Sequence, residues 1–465
     1  MYRLNAAKAV SAELAGLVWS EACGLRVSTR GRDDAAESPD PLNAFVGEVL
    51  RQNGFSEKLQ QLIEQGLALG GAAVKVWAEV PEAGGDAAPR IRLGYCMADQ
   101  FVPLVWDNAR VTEGVFISRR VKDGYYYTRL EWHQRDAGRY VIRNELYRAD
   151  AQDGVAPGLR QDILGARVPL GEMYPGMEER TEVPLEESLF CYWRTPIANN
   201  LDDNSPLGVS VYANALETLR ALDVCYDSLV QEFRLGKKRI IVPSRFLRAV
   251  VDPGTGALRR YFDPNDEVFV GVADDDAAVG IHDVNMELRV EEHVSALNAL
   301  LSVLCLQLGF SANTFSFDER GGLKTATEVV SENSKTYKTV RTIQNQLIPA
   351  LEQLARGIID VAILYGMRWN GRSVESLAAK GYEVKVSFDD GVTQDRQTNL
   401  REGVMLVGAG LLSRFTFLTD GKYGQGLTES EALAELERIR RERVAAEGDG
   451  TQGGRERTGE VEEGM

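Results

Sequence analysis

Seven cations, Lys237, Lys238, Arg239, Arg245, Arg248, Arg259 and Arg260, crowd into one short span of a chain whose formal net charge is −16. Such a cluster is either an ordinary solvated face or a surface that docks an acidic partner or meets DNA phosphates. A second group, Phe310, Ser311, Asn313, Thr314, Phe315, Ser316, Phe317 and Asp318, interleaves aromatic rings with small polar side chains and has no cation before Arg320. It is too polar for a core segment and too aromatic for an idle turn. Facing a passing polyanion, it would give steric support with little phosphate pairing, because tight phosphate binding needs Lys and Arg to displace condensed counterions. The third set, Val294, Leu297, Leu301, Leu304 and Leu308, repeats at alternating steps of three and four, the spacing of a helix-packing seam.

No catalytic constellation accompanies these groups. The three histidines, His133, His282 and His293, lie in no metal-ligand or triad spacing. Gly321-Gly322-Leu323-Lys324-Thr325 has the composition of a phosphate loop but lacks the adjacent Gly-Lys-Thr and follows no clear strand. Asp274-Asp275-Asp276 and Asp389-Asp390 fit a solvated turn and a helix cap better than a cation site. Cys23, Cys96, Cys191, Cys225 and Cys305 are scattered, without a Cys-x-x-Cys pair, which argues against a disulfide framework or zinc site. Neither a cofactor nor a metal is expected, nor is an enzyme. Met1 to Leu25 lacks the order of a signal peptide, and the apolar run Val294 to Phe310 contains Asn298, Ser302 and Gln307, fitting a buried helix better than a membrane span.

The elements that must position these groups follow from periodicity. Helices are expected over Ala6 to Cys23, Pro41 to Asn53 and Ser56 to Leu69. Period two then takes over in Ala73 to Val80, Arg90 to Cys96, Gly114 to Val121, Tyr125 to His133 and Arg139 to Tyr147. Asp123-Gly124 and Asp136-Ala137-Gly138 give hairpin signals, so this region reads as an antiparallel meander. Ala149 to Glu187 reads as a long surface excursion. Ser210 to Leu235 is an amphipathic helix, Lys237 to Asp283 a β-rich insert, and the seam a returning helix: a stalk with a tip. Two such helices with a small tip are expected to need a neighbouring copy to cover their stripes. Lys324 to Met367 reads as one long helix that Pro349 must kink. Glu383 to Phe388 is a strand, Gln394 to Val407 a helix, and Thr428-Glu429-Ser430-Glu431 a capping box opening a helix to about Val444. Glu447 to Met465, charged and Gly-rich, is expected to be disordered.

The stretch Gly309 to Asp318, with Lys324-Thr325-Ala326-Thr327-Glu328-Val329-Val330-Ser331-Glu332-Asn333 after it, resembles the channel-constriction segment of tailed-bacteriophage portal proteins of the A118/SPP1-like family. The resemblance is strongest from Glu291 to Ala355 and is supported by Ala12 to Glu21 and Thr428 to Arg441. It implies an α+β portal fold with a wing (1–209), a stem helix (210–236), a small β-rich clip (237–286) and a second stem helix (287–308). A tunnel loop (309–323), a kinked helix with a wing strand (324–393), crown helices (394–446) and a disordered tail (447–465) would follow.

The resemblance further implies a homo-oligomeric ring of twelve subunits at one capsid vertex of the virion, assembled in the host cytoplasm. Double-stranded DNA would pass through it during packaging by the terminase large subunit and during ejection. Major capsid and scaffolding proteins and a head-tail connector would be its other partners, with no membrane involved. In that scheme the Phe310 to Asp318 group faces DNA, the seven cations dock a partner at the clip, and the seam packs the ring. A head-tail adaptor or assembly scaffold without its own channel is the alternative. A nucleotide-dependent motor subunit would need the phosphate loop this chain lacks.

Overall fold

A computed structural model describes residues 1–31, 40–80, 88–108, 110–150, 164–185, 187–236, 239–243, 249–251, 254, 256, 258–260, 269–272, 282–284, 287–311, 314–317, 333–388, 396–420 and 424–450. The described chain mixes helices and strands in an α+β architecture. Its elements begin with α1 (Ala6–Val18), β1 (Gly24–Thr29), α2 (Pro41–Gln52), α3 (Phe55–Leu69), β2 (Gly71–Glu79), β3 (Arg90–Met97) and β4 (Phe101–Asp107). There follow β5 (Arg110–Lys122), β6 (Tyr125–Asp136), β7 (Arg139–Asp150), β8 (Ala166–Val168), β9 (Arg180–Val183), β10 (Phe190–Arg194) and α4 (Leu216–Leu235). The insert holds β11 (Arg239–Pro243), β12 (Ala249–Val251), β13 (Leu258–Arg260), β14 (Phe269–Val272) and β15 (His282–Val284). After it come α5 (Val290–Leu308), α6 (Ser334–Leu364), β16 (Arg368–Trp369), β17 (Arg372–Ser373), α7 (Val374–Ala378) and β18 (Tyr382–Ser387). The chain closes with α8 (Arg396–Gly408), α9 (Arg414–Thr419) and α10 (Glu429–Gly450).

These elements divide into two compact units, Met1–Ala9 with Asn214–Gly322, and Val10–Ala213 with Leu323–Met465. In the larger unit, β4-β5-β6-β7-β8 form an antiparallel sheet with β9 also paired to β7, and β10-β2-β3 form a second. The meander turns tightly where expected. Asp123 and Gly124 have φ of 51° and 78°, and Ala137 and Gly138 have 49° and 81°, the left-handed pairs that match the strand twist in two-residue hairpins.

Helices α3 and α6 cover the β10-β2-β3 sheet, and their core meets Ala72, Val74, Cys191 and Trp193 through Leu59, Leu62, Ile63, Leu347, Ala350 and Leu351. Helix α6 remains one helical element through Pro349, although the ring removes one backbone donor. The expected extension of α1 to Cys23 gives way to β1, which pairs antiparallel with β18, Gly24 opposite Ser387. Trp19, at 2 % exposure, sits edge-on to both Phe55 and Phe388 and closes this corner.

In the smaller unit, β11 is central between β14, parallel to it, and β15, antiparallel to it, while β12 and β13 form a hairpin. Helices α4 and α5 pack on each other. The capping box at Thr428 is formed: its backbone N–H donates to Glu431 Oε2 at 3.0 Å and the Glu431 N–H donates to Thr428 Oγ1 at 3.4 Å. The helix it opens runs to Gly450, beyond the expected end near Val444 and into the first residues assigned to the tail. The expectations for 151–163 of the excursion, Lys324 to Glu332, Asp274-Asp275-Asp276, Asp389-Asp390 and 451–465 lie outside the described residues.

Candidate functional site

The loop of aromatic and polar residues hangs on the end of a helical hairpin. Antiparallel packing is fixed at the insert end by Glu232 of α4, which accepts from Arg289 Nη2 at 3.0 Å, from its Nε at 3.2 Å and from its backbone N–H at 3.3 Å. Those bonds hold the Glu232 carboxyl at about 2, well under its ordinary range. Between the helices, Leu222, Leu297, Leu301, Leu304 and Leu308 are at most 8 % exposed, while Val294 is half-buried. The seam is therefore covered within a single chain. The expectation that the stripes need a neighbouring copy is thus not met for the α5 seam, while Leu216 and Phe233 of the α4 stripe remain 60 % and 50 % exposed.

At the other end, α5 stops on Gly309, whose φ of 78° is the left-handed conformation that glycine adopts without penalty. The Phe310 N–H returns to the Cys305 carbonyl at 2.8 Å, which aims Phe310 back into the chain. Phe310 is 1 % exposed and Ser311 is 3 % exposed, with the Phe315 ring edge-on to Phe310 at 5.1 Å. The Thr314 hydroxyl donates to the Ser311 carbonyl at 2.7 Å, and the Phe317 N–H donates to Asn298 Oδ1 of α5 at 2.9 Å. Phe317 itself stands 55 % exposed. The expected group is thus divided: Phe310 and Ser311 are buried anchors instead of exposed contacts, and Thr314, Phe315 and Ser316 are half-buried. Asn313 and Asp318 lie outside the described residues.

Of the seven cations, Arg239 lies on β11, and Arg259 and Arg260 lie on β13 opposite Val250 and Ala249. Lys237, Lys238, Arg245 and Arg248 lie outside the described residues.

The family model for phage portal protein, SPP1 Gp6-like, matches residues 3–448. The chain belongs to this phage portal protein family. Comparison with curated proteins finds no match. The family is one of structural, non-enzymatic assembly proteins and implies an oligomeric ring associated with the virion capsid. No helix among the described residues of this portal protein is long and apolar enough to cross a membrane.

One arrangement in the portal's larger unit escaped the sequence reading. Arg129, Glu131 and His133 alternate along β6 and so share one face. Glu131 there meets Lys75 of β2, accepts from Arg129 Nη2 at 2.6 Å, and lies 3.0 Å from His133 Nε2. His133 Nδ1 is 2.6 Å from the Tyr140 hydroxyl, whose oxygen accepts the Leu189 N–H at 3.1 Å. One proton arrangement satisfies the chain: Leu189 N–H to Tyr140, Tyr140 O–H to His133 Nδ1, and His133 Nε2–H to Glu131.

Burial lowers the proton affinity of the His133 ring in spite of Glu131, and Lys75 and Arg129 add to the cost of a further cation. Against the cost of burial, His133, Lys75 and Arg129 hold the Glu131 carboxyl far below its ordinary range. Phe116 and Phe190 pack edge-on to the imidazole, which is 2 % exposed. Its chemistry is structural: it joins β2, β6, β7 and the start of β10. Three ionisable residues at i, i+2 and i+4 of one strand were the available signal.

A cleft of about 380 Å³ beside Pro349 is lined in part by Asp107, Arg110, Arg194, Glu352 and Arg356.

Proposed function

We propose that this portal protein assembles into a ring of twelve subunits whose central channel passes double-stranded DNA, inward under the terminase large subunit and outward at ejection. The loop anchored by Phe310 at the end of α5 carries this reading: it holds an aromatic side chain, Phe317, out from a rigid helical hairpin and has no cation among residues 310–318. Such a loop supports the duplex by shape and lets it slide, since phosphates find no fixed positive partner.

Asn313, Thr314, Phe315, Ser316, Phe317 and Asp318 form the DNA-facing part, with Phe310 and Ser311 as its foundation. Residues 1–209 form the wing, the hairpin the stem, residues 237–286 the clip and residues 394–446 the crown. The clip cations dock terminase and then the head-tail connector, while capsid and scaffolding proteins contact the remainder during assembly in the host cytoplasm. The stem seam contributes to the ring by stiffening the hairpin that neighbouring copies meet.

Light scattering with negative-stain imaging of the purified chain tests the ring: particles with a central hole are expected, and a monomer or a solid particle at all concentrations refutes it. Replacing Asn313 to Ser316 by glycine should leave rings and procapsids intact while impairing packaging or retention of DNA. Normal packaging by that variant removes the loop from the DNA path.

A further inference from the structure

The cleft beside Pro349 coincides with an unfinished sheet edge. Strand β10 is the outer strand of the β10-β2-β3 sheet. The Val76 N–H donates to the Leu189 carbonyl at 2.9 Å and the Thr195 N–H to the Gly70 carbonyl at 3.0 Å, so Cys191 and Trp193 between them turn their backbone groups toward β2. By the alternation of an antiparallel pair, Phe190, Tyr192 and Arg194 turn theirs to the other side. Gln353 of α6 covers that side at its start, donating from Nε2 to the Phe190 carbonyl at 2.8 Å. Tyr192 and Arg194 line the cleft, and among the described residues no hydrogen bond uses their backbone groups.

Charge in the cleft is uneven. Of its three guanidinium groups, that of Arg110 is paired with Glu187 and that of Arg356 lies 3.6 Å from Glu352. Arg194 is half-buried, and its guanidinium makes no ion pair or hydrogen bond among the described residues. A carboxylate would complete its shell with two parallel N–H···O bonds. Asp107, exposed on the β4–β5 hairpin that forms the opposite wall, disfavours a second acid nearby. The volume of about 380 Å³ falls in the range of ligand sites and has room for a few residues of extended chain.

We propose that this cleft binds an extended peptide that adds a strand along β10, between α6 and the β4–β5 hairpin, and sets one Asp or Glu side chain against Arg194. Backbone bonds to Tyr192 and Arg194 supply affinity for an extended chain, and the guanidinium selects the acid. A free anion would use the guanidinium but leave the strand edge unpaired. All of these residues lie in the larger unit, so the site needs neither the channel nor a second copy.

The test uses the full-length chain and fluorescein-labelled peptides Thr-Val-X-Val-Thr, with X as Glu, Asp, Gln, Ala or Lys, read by fluorescence anisotropy and by amide hydrogen exchange. The Glu and Asp peptides should bind at least about tenfold more tightly than the Lys peptide, the scale of one charge-assisted hydrogen bond. Their binding should slow exchange at Tyr192 and Arg194. Arg194→Gln should remove the preference for acid. Methylating the backbone nitrogens of the Glu peptide should abolish binding, a result that does not depend on how the variant folds. Failure of the Glu and Asp peptides to bind, or an acid preference unchanged in Arg194→Gln, would overturn the site. Displacement of the Glu peptide by an equal concentration of acetate would reduce it to an anion site and overturn strand addition. Slow exchange at both amides without peptide, in whatever assembly the chain forms, would show the edge already covered and refute it as well.

Discussion

At the scale of residues, the most consequential group is a carboxylate that serves three partners. Glu131 offsets Lys75 and Arg129 while holding the His133 ring, so Glu131→Gln would leave two cations facing a neutral amide in a buried site. Breaking a buried pair by removing one member costs about 3–5 kcal/mol, and chemical denaturation of the variant should show a loss of that order. The pH dependence follows from the same network. Burial lowers the proton affinity of His133, so the unfolded chain holds that proton more tightly and stability falls as pH drops below its ordinary value of 6.5. Glu131, held far below its ordinary 4.5, adds a loss in the same direction as pH falls through and below that value. Each proton taken up preferentially by the unfolded chain contributes a slope of up to about 1.4 kcal/mol per pH unit. Unfolding midpoints between pH 7.5 and 5.5 should decline in the wild type and decline less in His133→Gln; equal declines would locate the acid sensitivity elsewhere.

At the scale of elements, the stem hairpin and its loop depend on one helix end. Gly309 holds φ of 78°, and an alanine there would pay about 1 kcal/mol for the left-handed conformation. Gly309→Ala should therefore lower the unfolding midpoint slightly and make 310–317 more sensitive to proteolysis, because the Phe310 anchor starts from that turn. A midpoint and cleavage pattern equal to the wild type would show that the anchor does not depend on the cap. Leu301 sits in the inner seam at 6 % exposure, so Leu301→Asp buries a charge inside the hairpin and should cost several kcal/mol in the isolated chain. Loss of the hairpin's cooperative unfolding is the expected reading by circular dichroism.

At the scale of the whole molecule, the proposed channel uses charge to separate what slides from what docks. A chain of net charge −16 with no cation in the described part of its loop should show little affinity for free duplex DNA. Asn313→Lys with Thr314→Lys supplies phosphate partners and should slow translocation, more at low salt than at high salt, because counterion release weakens as salt rises. A rate unchanged at both salts would mean that the duplex does not approach the loop. In the proposed scheme the cations of the clip work at a different boundary. Arg259→Glu with Arg260→Glu should leave ring formation intact and weaken terminase or connector association, chiefly through the on-rate, the effect of reversing charge at a docking surface. Unaltered packaging and tail joining would assign these arginines to an ordinary solvated face.

The sequence alone determined the local elements. Period two located β5, β6 and β7, the Asp-Gly and Ala-Gly pairs set their turns, three-and-four spacing found the inner seam of α5, and Thr428 with Glu431 marked the start of α10. These signals are legible because each is written within one or two turns of chain. Tertiary structure decided what depends on residues far apart. Gly24–Thr29 became a strand because β18, more than 350 positions later, supplied its hydrogen bonds. His133 was an isolated histidine until β2 brought Lys75, and β7 Tyr140, to its face of the sheet. Phe310 looked like its neighbours in the loop until the turn at Gly309 buried it and left Phe317 outside. Composition gives each side chain a preference for water or core, but only the assembled chain settles which of several similar residues finds a place inside.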